Sequence, residues 1–473
     1  MAGWANVRLL LEEEYRQSAE EGKDHDAIES IRARAASEDD PAALAGLHVE
    51  LVALPVRPDF PFIEPDDLHA IRSLRGASPG VESAGSRDLP DQLHGAWLGR
   101  AVGCALGKPV EAFMSARGEL ASWQRQRLFL QAISPDEWPI RGYVPAESPA
   151  EGLTGSPWCP ASSRERIAFM ETDDDIRYTV IGQLIVARYG TGFTSADVAR
   201  TWLDRLSYNW VCTAETQAYR NLVARYDAVR DQDPAFERED PAAIDWFDVA
   251  QTLNPYREWI GAQIRIDSYG YAAPGRPEAA AAMAYADARI SHTKNGIYGA
   301  MLCAAMIAAA FDSDDIDAVV EAGLAQIPST SRLHAAIRRT VELCAARGND
   351  FEAFEAIIED LYREVGGYHP AHTINNAAVV VAALLVGGGD FHRAVTFAVM
   401  AGWDTDCNGA TVGSIMGALL GARRIPAAWT DPLHDTLRSQ IAGYHPIPIS
   451  ECADRSLVLA ERDGGAVPWQ AWW

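Results

Sequence analysis

Two aspartates, Asp404 and Asp406, stand in the stretch AGWDTDCNGATVGSIMGALLG (residues 401–421), which is otherwise small or apolar. Carboxylates in such surroundings need a partner, and the simplest one is a metal ion. The other reading is an acidic helix cap, which accounts for one aspartate more easily than for both. A second acidic run, Glu171-Thr172-Asp173-Asp174-Asp175, precedes the amphipathic pattern IRYTVIGQLIVARYG. A helix macrodipole favours acids there, yet consecutive aspartates repel one another, and a hard cation relieves that repulsion where a cap alone does not. A third carboxylate, Glu111, follows Lys108-Pro109 and is either solvated or turned to the same site as Asp404. Together Glu111, Thr172, Asp173, Asp174, Asp404 and Asp406 offer five carboxylates and a hydroxyl. Oxygen ligands in that number suit Mg²⁺ or Mn²⁺ and can hold two ions, whereas zinc favours His and Cys.

The elements that must position these groups are helices. Gly409, Gly413, Gly417 and Gly421 recur every fourth residue, and so do Gly95, Gly99, Gly103 and Gly107. On a helix that spacing forms one stripe, where another backbone can come very close. Glycine inside a helix costs about 1 kcal/mol relative to alanine, so four in register imply a packing requirement. Two such stripes predict two helices at the centre of one bundle. Helical periodicity also marks residues 1–53, 195–206, 213–226, 241–253, 278–290, 297–311, 314–326, 331–346, 350–364 and 377–386. Residues 114–170 read as irregular, and a loop that long is functional or mobile. Residues 265–277 read as a Gly/Pro-containing loop. His372 and Asn375 read as caps of the helix that follows them. No region is rich in strand signals and no repeat period stands out, so the expected class is all-α.

Composition narrows the function. The chain has 473 residues, 48% hydrophobic and 23% charged, as in ordinary globular proteins. Its net charge of −25 would repel a nucleic-acid backbone. The seven cysteines are scattered with no CxxC pair, which argues against a disulfide framework and for a reducing cytoplasm. The start of the chain lacks a signal-peptide pattern, and the apolar run 299–311 is too short to span a bilayer, so no membrane is expected. Residues 1–75 read as an accessory helical region and 76–90 as a linker, with a main body over 91–445 and a tail over 446–473. Trp469, Trp472 and Trp473 in that tail are expected to dock on the body or on a second subunit.

In order along the chain, HGAWLGRAVGCALGKPVE, ETDDDIRYT, SHTKNGIYGAMLCAA and GWDTDCNGATVGSIMGALLGA resemble the ADP-ribosylglycohydrolase family over roughly residues 91–425. The resemblance implies a compact orthogonal helical bundle with an N-terminal helical extension, and makes 91–445 the catalytic domain. It implies a binuclear Mg²⁺ or Mn²⁺ centre that hydrolyses the glycosidic bond to ADP-ribose, or to a related ribosyl group, on a small molecule or a protein. Carried over by motif, Thr172, Asp173 and Asp174 match the family's TDD ligands, and Asp404 and Asp406 match its DTD aspartates. Glu111 matches the acid that acts on the water or the scissile ribose. Residues 268–273, with Ser268, Tyr269, Gly270 and Tyr271, match a loop that cradles the diphosphate. There the two tyrosines stack on an adenine or simply close the loop. His292 matches a site-lining histidine, against the plainer reading of a satisfied helix-cap residue.

This sequence departs from the family pattern at three positions. Where the family usually has a Thr whose hydroxyl is a ligand, Cys407 stands. A thiol is a poor Mg²⁺ ligand, so the site prefers Mn²⁺ or uses water in that place. Cys104 replaces a frequent Asp that supports the ligands, and its loss is expected to loosen the site. Trp403 replaces a common Gly, either as a wall to the substrate or as a core residue. Two rival functions follow: a hydrolase of another N- or O-riboside or glycoside, and a catalytically silent binding relative.

Overall fold

The computed structural model describes residues 2–76, 88–115, 119–232, 244–462 and 465. Among these the chain is all-α. The strand content is one antiparallel pair of two-residue strands, Thr436–Leu437 with Ile447–Pro448.

The two glycine stripes face each other. The Leu89–Gly107 and Thr405–Leu420 helices run antiparallel with backbones in contact. A Cβ on Gly103 would overlap the carbonyl of Gly409. One on Gly413 would overlap that of Gly99, and one on Gly417 that of Gly95. The first helix starts under an Asp88 cap with Pro90 in its first turn and ends at Lys108. The second is entered through Gly402 and Trp403, both at positive φ (78° and 55°), and stops at Gly421 (φ 78°). Because the pair is antiparallel, the end of one helix lies beside the start of the other: the Thr405 hydroxyl donates to the Gly107 carbonyl at 2.8 Å. This contact brings Glu111 and Asp404, 293 positions apart in the sequence, to one end of the bundle.

Buried helices surround the pair, among them Asp174–Tyr189, Lys294–Ala310, Thr373–Gly387, Phe391–Met400 and Ile449–Glu461. The last is pinned by Ser456, whose Oγ accepts from Trp97 Nε1 (2.9 Å) and from Gln183 Nε2 (2.7 Å). Of the two expected caps His372 is one, accepting from Ile374 N at 3.1 Å, whereas Asn375 lies inside the first turn of the Thr373–Gly387 helix and donates to the His369 carbonyl.

Two segments differ from expectation. Residues 114–170 contain a regular helix, Ser122–Gln131, and shorter turns, and Trp123, Phe129, Trp138 and Tyr143 bury their rings in the core. Residues 265–277 are not a surface loop: Asp267–Tyr271 is a short helix inside the core. The glycine there serves packing, since a Cβ on Gly270 would strike Ile307.

The helices Val7–Glu20, His25–Ala35 and Pro41–Ala53 build a small core of their own from Leu11, Tyr15, Ile28, Ile31, Leu44, Leu47 and Leu51. Charged side chains, each 4% exposed or less, tie residues 1–75 to the body (Glu14 and Glu21 to Arg257, Glu64 to Arg332). Most of the expected linker, 77–87, and the tryptophans at 469, 472 and 473 lie outside the described residues. Among the described residues no helix is long and apolar enough to cross a membrane.

Candidate metal centre

Three helix ends deliver the acids. Glu111 opens a 3₁₀ turn just beyond the first glycine helix. Asp173 caps the Asp174–Tyr189 helix, its Oδ1 accepting from Asp175 N at 3.0 Å. Asp404 precedes the second glycine helix, and Asp406 and Cys407 lie in that helix's first turn. Asp173, Asp175, Asp404, Asp406 and Cys407 are buried, whereas Glu111, Thr172 and Asp174 are half-buried.

Few bases answer these acids. Lys108 Nζ donates to Asp173 Oδ2 at 2.7 Å and to the Thr172 carbonyl. Arg177 donates to the Thr172 hydroxyl at 2.8 Å, lies over the Trp210 ring, and places its charge near Asp173 and Asp174. Burial would push the Asp173 carboxyl up, but Lys108 and Arg177 more than offset it and hold it below the usual range. The others move the opposite way. Burial raises Asp174 to about 7, helped by the Asp173 charge. Glu111 is raised by burial and then by Asp404, Asp173 and Asp174, and Asp406 by burial and then by Glu111. Asp404 is also raised by burial, although hydrogen bonds with Cys407 and Asp406 partly offset it.

Asp404 is held from behind. Its backbone N–H donates to Asn376 Oδ1 at 3.2 Å, the same oxygen that accepts from Asn408 Nδ2 at 2.8 Å. Asn376 is fixed in turn by donating to the carbonyls of Pro370 and His372. Trp403 is buried, stacks on Tyr362 with centroids 4.2 Å apart, and donates its backbone N–H to Ser122 Oγ at 2.8 Å. One face of its ring is covered by Tyr362.

The structure gathers Glu111, Thr172, Asp173, Asp174, Asp404, Asp406 and Cys407, and leaves the other candidates elsewhere. Ser268, Tyr269, Gly270 and Tyr271 are buried, with their hydroxyls spent inside: Ser268 on the Thr179 carbonyl, Tyr269 on Asp287 and Tyr271 on Ser414. They form no open cradle, because a helix embedded this deeply must satisfy its polar groups internally. His292 is also buried, bonded through Nδ1 to Ser291 and set near Glu215 and Arg265.

Arg100 and Asn376 escaped the sequence reading, which named Asp175 only as a member of the acidic run and Lys108 only as the residue ahead of Pro109. One signal was present: Arg100 is the one cation in the otherwise apolar segment AWLGRAVGCALG, and a buried arginine requires carboxylates. It finds Asp175 at 2.9 Å and Asp267 at 3.0 Å.

Two observations test the fit of a divalent cation. Oδ1 of Asp404 and Oδ1 of Asp406 are buried and receive no hydrogen bond from the described residues. Among the described residues five carboxylates share the charge of two bases, Lys108 and Arg177. Buried oxygens left without donors, amid uncompensated negative charge, match what a cation requires, so the residues fit one.

The family model for ADP-ribosylglycohydrolase matches residues 85–463. The chain belongs to the ADP-ribosylglycohydrolase family. Among curated proteins none matches it. A solved structure of an ADP-ribosylglycohydrolase-related protein complex is similar over 80% of this chain and 99% of its own, at 20% identity and a TM-score of 0.48.

Proposed function

We propose that this chain hydrolyses the glycosidic bond joining ADP-ribose, or a related ribosyl group, to its acceptor, using two divalent cations, Mg²⁺ or Mn²⁺. The observation that carries this reading is the unmatched carboxylate cluster with its orphaned oxygens. Asp173, Asp404, Asp406 and Cys407 would hold the ions, with Thr172 and Asp174 at the rim. When bound, the cations supply positive charge that fixes the ribose hydroxyls and offsets the surrounding acids.

The chain's own residues do the rest. Glu111, which is half-buried, orients the attacking water or takes its proton. The acidic walls stabilise the positive charge that builds on the ribose ring as the bond breaks. Asn376 keeps Asp404 in place, so orientation is prepared before substrate arrives. In this reading residues 91–445 are the catalytic part, residues 1–75 an accessory, and the reduced cytoplasm suits the seven free cysteines.

A riboside without a diphosphate is the second reading. It is favoured by residues 268–273, whose polar groups are turned inward and offer no cradle.

Release of free ADP-ribose from ADP-ribosyl-arginine tests the proposal, using chelator-stripped protein resupplied with Mn²⁺ or Mg²⁺. The expected result is metal-dependent release that Asp404→Asn abolishes. Metal binding without release would move the assignment to another riboside. Absence of metal binding would overturn the enzyme reading.

A further inference from the structure

Two groups of donor atoms in this site share one carboxylate. Cys104 Sγ and carboxylate oxygens of Asp173, Asp175 and Asp406 lie within 4.8 Å of one another, as do Cys407 Sγ and oxygens of Asp404 and Asp406. Asp406 is therefore common to both groups, with a thiol in each. Cys104 comes from the first glycine helix and Cys407 from the second, the two helices whose backbones touch. Both thiols are buried, at 0% and 5% exposure.

Each group also holds buried oxygens that receive no hydrogen bond from the described residues: Asp175 Oδ2 and Asp406 Oδ1 in the first, Asp404 Oδ1 and Asp406 Oδ1 in the second. A buried cysteine is ordinarily a small hydrophobe. Cys303 and Cys344 fit that description, for they are buried and belong to no such group among the described residues. Cys104 and Cys407 do not, because each belongs to a group whose carboxylates include orphaned oxygens.

We infer that Cys104 and Cys407 are sulfur ligands to two neighbouring divalent cations, with Asp406 between them, and that the site is built for an ion softer than Mg²⁺. The inference rests on the metal-centre reading above and goes beyond it in Cys104, in Asp175 and in the choice of ion. Mg²⁺ demands near-ideal octahedral oxygen coordination and gives up water reluctantly. Thiolate sulfur is polarisable and favours Mn²⁺ less than Co²⁺ or Zn²⁺, but any of them over Mg²⁺. On binding, each thiol exchanges its proton for the metal and the proton passes to solvent.

The test is a Co²⁺ titration of chelator-stripped full-length protein, read by bound metal and by near-ultraviolet absorption. The expected result is a sulfur-to-cobalt charge-transfer band that falls by about half in Cys104→Ser and in Cys407→Ser, and disappears in the double variant while metal still binds. A band unchanged by Cys104→Ser overturns the role of that residue. Bound Co²⁺ with no band overturns the whole inference and leaves an oxygen-ligated centre standing. No bound Co²⁺ overturns both readings. Variants on the helix contact can misfold, so zinc-loaded wild-type protein gives an independent measure by X-ray absorption. A sulfur shell at about 2.3 Å supports the inference, and an oxygen shell alone at about 2.0–2.2 Å overturns it.

Discussion

At the seam between residues 1–75 and the body, Glu14 meets Arg257 through two hydrogen bonds of 2.6 and 2.9 Å. There too Glu21 meets Arg257 and Lys294, and Arg332 joins Glu64 to Glu258. At the other acidic cluster, Glu111, Asp173, Asp174, Asp404 and Asp406 have Lys108 and Arg177 as the bases near them among the described residues. Both places bury carboxylates. In the seam burial raises Glu14, but Arg257 and His48 more than reverse it and bring its carboxyl down to about 2. Arg332 likewise brings Glu258 to about 2. In the centre most carboxyls go up instead. The difference separates two uses of buried charge. Acids matched by bases fasten elements together, while acids left unmatched are suited to receive a cation.

Removing a base from the seam gives the sharpest contrast. Arg257→Met leaves Glu14 and Glu21 buried without their main partner, which costs about 3–5 kcal/mol. Chemical denaturation is expected to show that loss, while metal affinity of the folded fraction stays near wild type. A loss under 1 kcal/mol would mean that the seam relaxes and hydrates, and that matching is not what holds it.

pH separates the two regions by sign. Glu14 has a folded value of about 2 against an ordinary 4.5, so its contribution is present above about 4.5 and is lost as pH falls toward 2. At 1.36 kcal/mol per unit this amounts to roughly 3 kcal/mol. Asp174 is shifted the other way, from 3.8 to about 7, so this group takes nothing from metal-free stability below about 3.8 and takes progressively more as pH rises toward 7. Glu20 and Asp66 sit at the seam's edge and are also raised by burial, to about 7 and about 6, so they share that alkaline limb. Metal distinguishes them. Added Mn²⁺ is expected to flatten the part of the limb that belongs to the centre and to leave the acid limb unchanged. Thermal melts from pH 2 to 8, with chelator and with Mn²⁺, measure both limbs, and an acid limb that moves with metal would join the two regions into one.

The same contrast explains how much could be read from the chain alone. The glycine stripes were legible because close helix contact writes a four-residue period into the sequence. The acids were legible because TDDD and DTD place like charges side by side, which needs a reason. The counter-charges were not, since Lys108 and Asp173 lie 65 positions apart and Glu14 and Arg257 lie 243 apart. No local signal says which acid has a base across the fold. Residues 268–271 were misread for a related reason. Their Gly and Tyr content suits a loop, and only the helices packed around them make them core. Cys104 stood out as a departure from the family pattern, but its proximity to Asp175 and Asp406 appears only when the two glycine helices are set against each other.

The smallest effect tests the unmatched side directly. Asp404→Asn removes one negative charge from a cluster that has too many and keeps the side chain's shape. The backbone bond from residue 404 to Asn376 does not depend on the side chain and survives. The introduced amide can also donate to a neighbouring carboxylate oxygen, such as the orphaned Oδ1 of Asp406. In the absence of metal the variant is therefore expected to be more stable than wild type, by about 1 kcal/mol at pH 8. The order should invert once Mn²⁺ is present, because wild type gains binding energy that the variant forgoes. At the seam, the equivalent change Glu14→Gln should destabilise with or without metal. Melting curves of the three proteins, each with chelator and with Mn²⁺, decide the matter. If Asp404→Asn destabilises the metal-free protein as Glu14→Gln does, the centre's acids are already balanced and the distinction between the two regions fails.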